Sequence, residues 1–143
     1  MESTPVSPIR PDDTPVLVVE DDPKLGSLLV RALATYDVEG ELAVSGERAL
    51  AMAAGRSYAA VVIDQMLPGM DGLQLCRRLR RGGLGAPVII MSARDDLGGE
   101  IDPAGADGYL LKPFPLNLLL STLGALPRRS PRASRNWGDL TLS

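Results

Sequence analysis

Residues 15–23 read Pro-Val-Leu-Val-Val-Glu-Asp-Asp-Pro, and residues 59–64 read Ala-Ala-Val-Val-Ile-Asp. Each is a short apolar run that stops on an acid. A strand solvated on one face would show a polar residue at every second position, so unbroken runs of this length predict strands covered on both faces. Three more runs follow, Leu42–Val44, Val88–Met91 and Tyr109–Leu111, of which only Leu42–Val44 is not part of a near-continuous apolar stretch. Longer segments with a helical period separate them. Strand and helix in alternation, joined by right-handed crossovers, predict an α/β fold with a doubly wound five-stranded parallel sheet and helices on both faces.

The first helical segment places Leu25, Leu28, Leu29, Ala32, Leu33 and Tyr36 at i, i+3, i+4, i+7, i+8 and i+11, which predicts one buried stripe. Ser45 is positioned to cap a second helix. A third starts after Asp71 and turns Leu75, Cys76 and Leu79 inward, with Arg77, Arg78, Arg80 and Arg81 mostly facing water. Cys76 is then a packing residue. Residues 95–106 contain Gly98, Gly99, Pro103 and Gly105. An interior Gly costs about 1 kcal/mol and a Pro about 3 kcal/mol relative to Ala, so the fourth helix is expected to be short, frayed or absent. Pro115 to Leu126 can form a last helix, in which Leu118, Leu119 and Leu120 are consecutive and one must face outward.

Composition narrows the chemistry. Of 143 residues, 45% are apolar and 23% charged, and no stretch approaches the roughly 18 to 20 apolar residues of a membrane span. The first ten residues lack the basic start and apolar segment of a secretory signal, so a cytoplasmic location is expected, and a single Cys fits a reducing compartment. The absence of His excludes a His-based triad, a His-ligated zinc site and a phosphohistidine carrier. Charge divides the chain into three parts. Residues 1–14 sum to −2 and, with three Pro and no apolar period, are expected to form a disordered arm. Residues 15–126 sum to −4 and form the compact domain, whose balance offers nucleic acid no basic footprint. Residues 127–143 sum to +3 and begin with a Pro- and Arg-rich linker.

Glu20, Asp21 and Asp22 end the first run and Asp64 ends the third. If these strands are neighbours, the carboxylates crowd one edge of the sheet. Two carboxylates about 5 Å apart at an effective dielectric of about 20 repel by about 3 kcal/mol, which a hard divalent cation removes. Oxygen donors without His or Cys suit Mg2+. Glu20 and Asp21 are therefore candidate metal ligands, whereas Asp22, before Pro23, reads as a helix cap. Ser92 and Lys112 follow the fourth and fifth runs on the same edge. Ser92 alone would be an ordinary cap. Lys112 is distinctive because 13 of the 15 basic residues are Arg, and an ammonium supplies a compact point charge. A carboxylate beside a cation, a hydroxyl and an ammonium suits phosphoryl transfer, with Asp64 attacking to form an acyl phosphate.

The segments VLVVEDDP, VVIDQMLPGMDG, PVIIMSAR and GADGYLLKPF, in this order, resemble the receiver domain of two-component response regulators, in particular the OmpR/PhoB type. The resemblance covers roughly residues 15–126 and implies a sheet of order 2-1-3-4-5. It implies that Glu20, Asp21 and Asp64 bind Mg2+ together with the backbone carbonyl of Met66, and that Asp64 is the phosphoacceptor. Ser92 becomes the switch hydroxyl, Tyr109 the switch aromatic, Lys112 the partner of the phosphoryl group, and the Lys112–Pro113 peptide is cis. The implied partner is a sensor histidine kinase. Trp137–Ser143 resembles the first strand of a winged-helix DNA-binding domain, so DNA would be reached only through a domain this chain lacks.

The chain also departs from that family. Leu97–Gly105 has no basic residue and is about two residues short, Gly108 stands where a second acid is common, and PLNLLLSTLGAL carries no charge. A homodimer through the fourth helix, fifth strand and fifth helix would then be more apolar than is usual, or replaced. A receiver regulated by a ligand or by constitutive dimerisation, without kinase control, is the alternative reading. An aspartate-nucleophile phosphatase wants an acid at position 66, where Met66 stands. A flavodoxin-like electron carrier would want more than five aromatics and a phosphate-cradling first loop.

Overall fold

The structure is a computed structural model and describes residues 14–125. The arm before residue 14, and the linker and tail beyond residue 125, lie outside the described residues. Five strands and five helices alternate: β1 (Val16–Val19), α1 (Pro23–Ala34), β2 (Gly40–Ala43), α2 (Gly46–Gly55), β3 (Ala60–Asp64), α3 (Gly72–Arg81), β4 (Val88–Ser92), α4 (Gly98–Ala104), β5 (Gly108–Leu111) and α5 (Leu116–Ala125). All pairings are parallel, in the order β2-β1-β3-β4-β5. This is the doubly wound topology, and it places the carboxyl ends of β1 and β3 side by side.

Every residue of β1, β3 and β4 is buried. Successive side chains point to opposite faces, so each apolar run feeds two cores. Leu17, Val19, Val61, Ile63, Val88 and Ile90 pack with residues of α2, α3 and α4. Val16, Val18, Ala60, Val62, Ile89 and Met91 pack with Leu33 of α1 and Leu119, Leu120 and Leu123 of α5. Cys76 lies in the first core, fully buried. Of the three consecutive leucines in α5, Leu118 is the exposed one.

The helix starts agree with the local chemistry. Asp22 accepts from the Lys24 N–H, Ser45 from Arg48 and Asp71 from Gln74, whose side chain returns a bond to the Asp71 N–H. Helix α4 has seven residues, contains Pro103 and lacks a side-chain cap, as its composition predicts.

Three expectations need correction. The second strand is Gly40–Ala43 rather than Leu42–Val44, and Val44 is half exposed. The buried side of α1 is not the stripe through Leu28 and Tyr36, both of which are exposed. It is the adjacent stripe of Gly26, Leu29, Val30 and Leu33, again at i, i+3, i+4 and i+7. Gly26 lies at the close approach of α1 to β2, where a Cβ would stand 2.5 Å from Cδ1 of Leu42.

Arg80 is the third. Unlike its neighbours on α3, it is largely buried and pairs with Asp107 at 2.7 Å. It also donates to the carbonyls of Leu84, Ala86 and Gly105, while Asp107 accepts from the Val88 N–H. This network ties the end of α3 to the loops that enter β4 and β5. Removing one member of a buried ion pair strands the other charge, at a cost of about 3 kcal/mol. Arg80→Ala is therefore expected to lower the midpoint of urea unfolding by an amount corresponding to about 3 kcal/mol. The same substitution at exposed Arg77 is expected to leave the midpoint nearly unchanged.

Candidate functional site

The four strand ends named from the sequence meet at one edge. Glu20 and Asp64 are buried and Asp21 is exposed, and one carboxylate oxygen from each lies within 4.8 Å of the others. Lys112 Nζ stands 3.2 Å from Asp64 Oδ1 and 3.7 Å from Glu20 Oε1. Ser92 is fully buried at the end of β4, where Asp64 pairs with Met91 in register. Its hydroxyl accepts from the Arg94 N–H at 3.0 Å. Lys112 follows β5 directly, its N–H bonded to the Ser92 carbonyl, and the Lys112–Pro113 peptide is cis.

The remaining two residues stand near this edge in different ways. Met66 donates its N–H to Asp64 Oδ1 at 3.2 Å while its side chain is exposed. Tyr109 packs against the core shared with α4, and its hydroxyl is buried without a hydrogen-bond partner. Burial, reinforced by the charges of Asp95 and Asp96, raises the pKa of that hydroxyl.

The electrostatics are unbalanced, with three carboxylates facing one ammonium. Glu20 Oε2 accepts from the Asp22 N–H, but Glu20 Oε1 is buried and has no hydrogen-bond partner. Burial, with the charge of Asp64 adding to it, pushes the Glu20 pKa from 4.5 up to about 7, against the opposing pull of the Asp22 N–H and Lys112. An orphaned carboxylate oxygen among other oxygens, with no His or thiol nearby, is the environment a hard cation satisfies.

Two residues that hold Asp64 in place were not singled out in the sequence. Gln65 is buried, and its side-chain carbonyl accepts from the Leu73 N–H, which fastens the start of α3 to the end of β3. Gly72 opens α3 so close to β3 that a Cβ there would meet the Asp64 carbonyl oxygen at 2.8 Å and Gln65 Cα at 2.9 Å. The Asp-Gly pair at 71–72 was the available signal, since a cap followed by Gly permits a helix to start against another backbone.

A doubly wound sheet whose carboxyl edge gathers buried acids around one lysine defines a flavodoxin-like α/β protein with an acidic edge. The chain belongs to the response regulator receiver domain family, whose model matches residues 16–124. It is 45% identical over 118 residues to the transcriptional regulatory protein TcrA of Mycobacterium tuberculosis, a match covering 81% of this chain and 47% of that protein. The chain thus spans about half the length of such relatives. Among solved structures, it superimposes on the receiver domain of the Francisella response regulator 1452 with a TM-score of 0.71 and 33% identity, covering 78% of this chain and 93% of the other. Response regulator TrrA of Thermotoga maritima, solved in complex with Mg2+ and BeF, gives 0.71 and 28%, covering 77% and 96%. Among the described residues, no helix is long and apolar enough to cross a membrane.

The raised Glu20 pKa gives a signed expectation. Between about pH 4.5 and 7 the folded chain holds a proton that the unfolded chain has released, so this contribution is complete below pH 4.5 and is lost as pH rises through 7. In EDTA, thermal midpoints of the wild type are expected to fall across that window relative to Glu20→Gln, in which the difference is absent.

Proposed function

We propose that this chain is the phospho-accepting receiver of a two-component transcriptional regulator, and that Asp64 takes its phosphoryl group from a phosphohistidine of a sensor kinase. The observation carrying this reading is the buried Asp64 carboxylate at the end of the central strand, 3.2 Å from Lys112 and grouped with Glu20 and Asp21. Asp64 attacks the phosphorus; an O–P bond forms as the N–P bond of the donor breaks, and the imidazole keeps the electron pair and takes a proton from water. Lys112 neutralises the phosphoryl oxygens and holds the nucleophile in line, the positioning that such transfers chiefly require. Mg2+, held by Glu20, Asp21, Asp64 and the Met66 carbonyl, would supply charge neutralisation to the same oxygens.

Phosphorylation adds charge and acceptor oxygens where Ser92 now only accepts. The Ser92 hydroxyl, which accepts from the Arg94 N–H, keeps its proton to donate to the phosphoryl group, and drawing Oγ towards that group pulls on the start of the β4–α4 loop. Tyr109, whose hydroxyl has no partner in its present position, is free to follow. The output surface is then α4, β5 and α5, which displays Leu111 and Leu118, 45% and 43% exposed, and no charge on α5. It fits an apolar pairing with a second copy, while DNA would be bound by a further domain. The name of TcrA, a transcriptional regulatory protein, supports that assignment.

Intact-mass measurement after acetyl phosphate treatment is the test. One added phosphoryl group is expected in Mg2+ and none in EDTA, with none in Asp64→Asn under either condition. Labelling that persists in Asp64→Asn, or no labelling in Mg2+, contradicts the proposal and favours control without a kinase. On size exclusion the phosphorylated chain is expected to elute as a dimer and phosphorylated Leu118→Glu as a monomer.

A further inference from the structure

A basic groove lies on the side of the molecule carrying α2 and α3. It offers about 340 Å³ of space open to solvent, lined by Gln74, Arg77, Arg78 and Arg81 of α3, Glu47 of α2, and Gly69 and Met70 of the loop before α3. The three guanidiniums outnumber the one carboxylate, in a domain whose residues 15–126 are net acidic.

The arginines elsewhere that stand near acids are paired with them: Arg56 with Glu41, Arg80 with Asp107 and Arg94 with Asp96. Among the described residues, no carboxylate pairs with Arg77, Arg78 or Arg81, and the hydrogen bond of Arg78 to Met70 Sδ at 3.7 Å is a weak one. Arg31 and Arg48 also lack such a pair, but neither lines this groove. Binding the carbonyls past the end of α3 is not the trio's task, since Arg80 bonds those of Leu84, Ala86 and Gly105. Side chains on a helix lean towards its N-terminus. Arg78 accordingly reaches back to Met70, and all three arginines line the one concavity.

We propose that this groove binds a small anion carrying two or more linked phosphoryl groups, such as inorganic polyphosphate or a nucleoside triphosphate, recognised through its phosphoryl chain. Guanidinium forks match phosphate oxygens in pairs, and an anion of this kind relieves the mutual repulsion of three cations held on adjacent helical turns. A duplex backbone is convex and extended, and a concavity of this volume suits it less well. Glu47, on the opposite wall, can accept from a hydroxyl or ordered water of the ligand. The lining of the groove includes none of Glu20, Asp21, Asp64 and Lys112, and the proposal does not depend on any role for Asp64.

The test is titration of the full chain, in EDTA so that the acidic edge holds no cation, with inorganic triphosphate, ATP and a short DNA duplex. Calorimetry reads affinity and amide chemical shifts read location. Triphosphate and ATP are expected to saturate one site with a Kd below about 1 mM, shifting the amides of Met70, Gln74 and Arg78. Arg77→Gln/Arg81→Gln is expected to weaken both at least about tenfold while leaving the circular dichroism spectrum unchanged, and the corresponding Lys pair to lose less. Failure to saturate, shifts scattered over all basic surfaces, affinity unaltered by the double substitution, or binding of the duplex alone would each overturn the proposal.

Discussion

Two buried carboxylates share one ammonium at the carboxyl edge of the sheet, and much else in the molecule serves that contact. Lys112 reaches Asp64 and Glu20 because β5 ends beside β4 and β4 beside β3. Like charges about 5 Å apart repel by about 3 kcal/mol at moderate dielectric, so one ammonium cannot offset three acids. The surplus is visible in Glu20, whose inner oxygen has no hydrogen-bond partner and whose proton affinity is raised. Such an edge carries an excess of negative charge that a cation would offset.

Keeping such an edge in place requires rigidity around β3. Gln65 bonds the start of α3, Gly72 lets that start press against the Asp64 carbonyl, and both apolar layers clamp the strand between them. At the opposite side of α3, Arg80 and Asp107 tie the helix to the approaches of β4 and β5. Asp64 therefore stands in a firmly held part of the molecule. Helix α4 has seven residues and no side-chain cap, and α5 carries no charge.

The same amino-acid type has different fates on α3. Arg80 is largely buried and fully engaged, while Arg77, Arg78 and Arg81 line a groove without pairing to a carboxylate. Spacing along the helix separates them only into faces. Which face meets Asp107 and which meets solvent depends on how α3 lies over β4 and α4.

Four of the five strands, the acidic edge, the caps at Asp22 and Ser45, and the weakness of α4 were legible in the sequence, because each follows from residues close together in the chain. Apolar runs reveal burial on two faces, an acid ending such a run reveals an edge, and Gly and Pro reveal a helix that cannot extend. Tertiary structure decided the rest. The sequence of α1 contains two adjacent apolar stripes, and only its packing on β2, with Gly26 close to Leu42, decides which one is buried. Gln65, Gly72 and Arg80 take their importance from partners on other elements, and no local pattern distinguishes a long-range hydrogen bond from a solvated side chain.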